Sequence, residues 1–141
     1  MTRMLRGEKI IQKFKFDELN PTLKGNVVPF FLMGSPSDSN ENVQLPFIEM
    51  KWTPGPSRAM STDAKTFRYD GLLVFYIFMP KGLNPYEAVE VVSQIEEKTT
   101  HKFKDYPEGT VSFGAARTRP TRTVDNSEMT VFEVETVLLL R

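Results

Sequence analysis

The chain has 141 residues, 40% hydrophobic and 26% charged, an ordinary globular balance that fits one domain (1–141) and argues against wholesale disorder. Its 18 Lys and Arg are matched by 18 Asp and Glu, whereas a protein whose main partner is free nucleic acid usually carries a basic excess. There is no cysteine, which excludes disulfides, thiolate nucleophiles, cysteine zinc sites and iron–sulfur clusters.

The opening residues, MTRMLRGEKIIQKF, are charged and lack the apolar stretch of a secretory signal. Leu5, Ile10, Ile11, Phe14 and Leu19 can line one side of a helix that Pro21 would stop. The run IIQKFKF also alternates partly like a strand, and the helix is the preferred reading. Asn26 to Met33 holds a short apolar run broken by Pro29, which favours an edge strand or a bulge. The polar segment 34–44 and the segment 53–65, with Pro54-Gly55-Pro56, read as long loops inside the single domain.

Between the two loops, Phe47 to Trp52 alternates, with Ile48, Met50 and Trp52 on one face and Glu49 and Lys51 on the other. Thr66 to Met79 begins by alternating and becomes apolar on both faces at LLVFYIFM. This predicts a strand covered by the core on one side and by a helix or a neighbouring subunit on the other. That eight-residue run, Leu72 to Met79, is far shorter than the roughly 20 residues a membrane-spanning helix needs, so no membrane contact is expected.

The strongest predicted element is a helix over about 84–99. Asn84 caps it, Pro85 takes the first position, Glu87 reaches back, and Ala88, Val91, Val92, Ile95 and Thr99 share one face. Gly109 to Arg119 and Met129 to Leu140 read as two closing strands, with Pro120 to Glu128 as a polar hairpin loop. The fold class is α+β, an antiparallel or mixed sheet with the helices packed on one face.

Signatures of catalysis or cofactor binding are sparse. His101 is the only histidine, and no G-x-S-x-G elbow accompanies a serine. A triad built in space remains open. His101 and Asp105 could share a helix face as metal ligands, but the plainer reading is a residue just past a helix end. No glycine-rich phosphate loop occurs, so no catalytic, metal or cofactor residue is assigned. Glu96 and Glu97 read as a solvated helix surface. Glu133 and Glu135 project from one face of the last strand, either simply exposed or paired with basic groups of a neighbour.

Arg117, Arg119 and Arg122 form the most suggestive cluster. Either they decorate an exposed hairpin, or they make an electrostatic contact with a protein partner or with DNA passing nearby. Charge is also uneven. Residues 99–123 carry Lys102, Lys104, Arg117, Arg119 and Arg122 against Asp105 and Glu108, while residues 124–141 carry Asp125, Glu128, Glu133 and Glu135 against Arg141. Opposite patches suit head-to-tail contact between copies, unless folding pairs the two segments within one chain.

From Leu45 to Arg141 the sequence resembles the tail terminator family of long-tailed, lambda-like bacteriophages. The resemblance rests on LPFIEMKW before a Pro/Gly-rich segment, the run FRYDGLLVFYIFMPKG, the helix NPYEAVEVVSQIEEKT and the Arg/Pro-containing stretch GAARTRPTRTV between the closing strands. The first 44 residues depart from the family pattern, which opens with a clear amphipathic helix. The resemblance implies a homohexameric ring in the tail or neck of the virion, assembled in the host cytoplasm. It would cap the tail tube, stop polymerisation, and offer a surface to a head–tail connector or completion protein, with DNA passing through its channel. A tail tube or connector subunit is the nearest alternative, and a small enzyme or ligand-binding domain using His101 is the alternative of another class.

Overall fold

A computed structural model describes residues 3–23, 30–32, 47–59, 67–80, 86–124 and 127–140. The N-terminal segment is helical, as preferred: α1 spans Arg3–Phe14, a π-helical turn follows at Lys15–Leu19, and α2 is the short Asn20–Leu23. The wide turn has a packing reason. An uninterrupted α-helix would carry Glu18 to the inward position after Phe14, and one extra residue in the turn puts Leu19 there instead. Leu19, Ile10, Ile11 and Phe14 are all buried, while Phe16 is 72% exposed and Glu18 pairs with Lys104 at 3.0 Å. Pro21 does not stop the helix. It sits in α2, just after the π turn has already broken the regular hydrogen-bond ladder, so its missing N–H costs little there.

Among the described residues the sheet has six strands in the order β1-β2-β3-β6-β5-β4, with β1 Phe30–Leu32, β2 Phe47–Ala59, β3 Phe67–Pro80, β4 Phe103–Tyr106, β5 Gly109–Val124 and β6 Ser127–Leu140. Of these, β1 runs parallel to its neighbour and the rest pair antiparallel, so the sheet is mixed. The third helix, α3, spans Tyr86–Thr99 between β3 and β4. Asn84 and Pro85, read as its cap, and the loop at 34–44 lie outside the described residues.

Ile48 and Met50 from β2, Leu73, Phe75 and Ile77 from β3, Val111 and Phe113 from β5, and Phe132, Val134, Leu138 and Leu140 from β6 fill one face of the sheet. Val91, Val92 and Ile95 of α3 and the apolar side of α1 close over it, so both helices lie on that face. Phe14 meets Phe113 at 4.8 Å between ring centroids. Burying each such large side chain is worth roughly 1.5–3 kcal/mol.

Two expected loops are strand where they are described. Of the segment 53–65, residues up to Ala59 belong to β2, because the register shifts by one residue between Pro54 and Ser57, and 60–65 lie outside the described residues. A bulge of this kind absorbs the Pro-Gly-Pro without ending the strand. Likewise, of the expected loop from Pro120 to Glu128, residues up to Val124 continue β5 and Ser127 and Glu128 begin β6, while 125–126 lie outside the described residues. No described helix is long and apolar enough to cross a membrane.

Candidate functional site

The arginine cluster is placed by two irregularities in β5. Val111 and Phe113 point into the core, and strict alternation would send Arg117 and Arg119 to the same side. Between Phe113 and Ala116 the register with β6 slips by one residue, and a one-residue slip exchanges the two faces. Arg117 therefore stands opposite Glu133 and Arg119 opposite Val131, on the side of the sheet away from the helices. A second slip, between Arg119 and Arg122, occurs at Pro120 and changes the parity again, so Arg122 joins the same face opposite Met129. All three arginines form one row.

Glu133 lies beneath this row. Its side chain is 7% exposed, and its two carboxylate oxygens accept hydrogen bonds from Arg117 Nη2 at 3.2 Å and Arg119 Nε at 2.5 Å. The two opposite charge segments are thus partly joined inside one chain, and Glu133 does not wait for a neighbour. Arg117 and Arg119 stay 67% and 56% exposed at the side chain, so each can still donate outward. Arg122 is exposed and has no ion pair among the described residues. Glu135 is exposed, over Gly114 and opposite Leu72. A groove lined by Leu72, Ala115, Ala116, Arg117, Glu133 and Glu135 runs along this side.

The edge of β5 differs along its length. β4 covers Gly109 to Ser112, and the exit of α3 covers the next step: Phe113 N–H donates to Lys102 O at 2.8 Å and His101 N–H to Gly114 O at 3.2 Å. Beyond Gly114 no described strand pairs with that edge. Residues 117–123 are exposed.

His101 does lie just past a helix end, with a left-handed backbone (φ 56°) that lets the chain turn from α3 into β4. It does not share a helix face with Asp105: α3 ends at Thr99, and Asp105 belongs to β4, where it accepts a hydrogen bond from the Thr110 hydroxyl. No group of three or more metal-capable side chains gathers among the described residues. Glu96 and Glu97 are exposed on α3.

Strand β4 and its contacts were not anticipated from sequence. Glu108, in the turn after β4, accepts Lys13 Nζ at 2.5 Å with Lys9 at 3.8 Å, which holds its carboxyl below the usual range. Burial, with Asp17 and Glu18 nearby, pushes the Tyr106 hydroxyl up to about 12. These groups tie α1 to the β4–β5 turn and form a structural clasp. A signal for β4 was present in the Tyr106-Pro107-Glu108-Gly109 turn.

No protein-family model and no curated protein matches the chain. Among solved structures, one protein superposes with a TM-score of 0.67 at 13% identity, covering 93% of this chain and 94% of that one. At that identity the likeness speaks for the fold alone, and it supports the α+β class.

Proposed function

We propose that this chain is a ring-forming tail terminator of a long-tailed bacteriophage, capping the tail tube and receiving the head-side connector. The observation that carries the reading is the succession from Phe47 onward: apolar strands β2 and β3, the helix α3 over Tyr86–Thr99, and the closing strand pair with an arginine-bearing arm. Stacked tube rings present a heterologous contact that repeats without limit. A terminator must match the tube on one side and fail to match another tube ring on the other, which calls for shaped, charged surfaces. The exposed length of β5 supplies one such surface, with no acid–base machinery required.

The test is assembly. Tube subunits encoded beside this chain should polymerise to uncontrolled length alone and to a fixed length when the purified protein is added, as measured by electron microscopy. Discrete rings favour a terminator, whereas long tubes formed by the protein itself would favour the tube-subunit alternative. Unchanged tube length at saturating protein rejects the proposal.

A further inference from the structure

Two exposed surfaces of the chain are oppositely charged and lie on opposite sides of the sheet. On the helix-free side, the three arginines of the open arm of β5 stand against Glu133 beneath them and Glu135 at the start of the arm, which leaves the arm net positive around Arg119 and Arg122. On the other side, the outward face of α3 exposes Glu90, Glu96 and Glu97, and the one basic residue of α3, Lys98, is half-buried beside them. Val89, 63% exposed, adds an apolar contact point to that acidic face. Resting on the reading that the protein assembles with itself, we infer that the arginine row of one copy grips the acidic outer face of α3 in the next copy.

Three physical points select this pairing. Because the two surfaces differ and sit on opposite sides of the sheet, the contact is heterologous, and repeating it generates a ring or a filament. Pairing two β5 arms edge to edge would bring like charges together. Pro120 and the two register slips also interrupt the run of backbone donors and acceptors that strand addition needs, as natural sheet edges do when they are guarded. Recognition therefore falls to the guanidinium groups, whose planar donor forks suit carboxylates. Arg122 is the principal anchor, since no described carboxylate competes for it.

The full chain can be tested by sedimentation velocity and native mass spectrometry. Arg122→Glu, and separately Glu90→Arg with Glu97→Arg, should each weaken self-association about tenfold or more while circular dichroism and melting stay unchanged. Combining the reversals on both surfaces should associate more tightly than the α3 variant alone, because the inverted charges again complement each other. Wild-type assembly should loosen as salt rises.

If the wild type assembles and either reversal assembles equally well, or the combined variant gains nothing, the surface assignment is overturned while the terminator reading stands. A wild type that stays monomeric at every concentration overturns both. If Arg122→Glu leaves assembly intact and instead abolishes duplex DNA binding, the row serves nucleic acid and the inference is wrong. If the reversals dissociate the rings as expected while the wild type leaves tube length unregulated, only the terminator reading fails.

Discussion

The two halves of β5 share one strand and have opposite roles. Gly109 to Phe113 is held on both edges, by β4 and the exit of α3 outside and by β6 inside, and sends Val111 and Phe113 into the core. From Ala115 to Val124 the strand has β6 as its one partner among the described residues, and residues 117–123 are exposed. The slip between Phe113 and Ala116 separates them. One extra residue converts a strand that builds the core into a strand that presents charge, without a change of direction or a break in pairing. Stability and recognition are thus divided along a single strand, so substitutions in the two halves should read out in different assays.

The largest effect is expected in the core that the inner half joins. Leu73→Asp places an unpaired charge in a site with no exposure and should cost more than about 4 kcal/mol, enough to abolish cooperative unfolding in a urea titration. Phe113→Ala removes the ring against Phe14 and should cost about 3 kcal/mol by the same titration. If it costs under about 1 kcal/mol, the inner half is not a core element and the comparison fails.

The boundary between the halves can be sharpened at Glu133. Removing both arginines, as Arg117→Ala with Arg119→Ala, strands a buried carboxylate and should cost about 2 kcal/mol. Glu133→Gln leaves only exposed guanidiniums unpaired and should cost about 1 kcal/mol or less. The reverse ranking in denaturant midpoints would mean that the arginines are held by something other than Glu133. At the arm itself, Arg122→Ala should change stability by no more than about 0.5 kcal/mol.

The smallest effect is spectroscopic. One of the four tyrosines, Tyr106, should ionise late in an alkaline absorbance titration, near pH 12, and Tyr106→Phe should remove that component. Because its folded value lies above the ordinary tyrosine value of 10.0, this hydroxyl supports folding below pH 10 and ceases to do so as pH rises toward 12. If no late component appears, or if it survives Tyr106→Phe, β4 does not bury Tyr106 over the clasp that anchors the inner half.

Much of this arrangement was readable from spacing. Ile10, Ile11, Phe14 and Leu19 marked the buried side of the N-terminal helix, and the alternation of Ile48, Met50 and Trp52 marked the covered face of β2. The apolar run in β3 predicted cover by the core on one side and by a helix or a neighbouring subunit on the other; both helices pack on the core side, and on the face away from them Val74, Met129 and Val131 form a small buried cluster. The bulges were harder to see, because proline and glycine signal both loops and strand irregularities, and only the cross-strand register tells them apart. At Pro54-Gly55-Pro56 and at Pro120 the loop reading was natural and incorrect. Glu133 could not be read as buried, since its partners lie 14 and 16 residues away and reach it only through the hairpin. The face of Arg122 likewise depends on a shift that no local pattern of side chains specifies.

The strand order has a consequence for how the protein is made. β3 takes β2 on one flank and β6 on the other, and β6 is the last strand of the chain order to leave the ribosome. Until residues 127–140 emerge, the most apolar segment of the nascent polypeptide keeps an open flank, a template for errant pairing with other chains. Ribosomes stalled before Ser127 should therefore carry aggregation-prone intermediates that call on chaperones, and release of the closing hairpin is the event that makes the product safe.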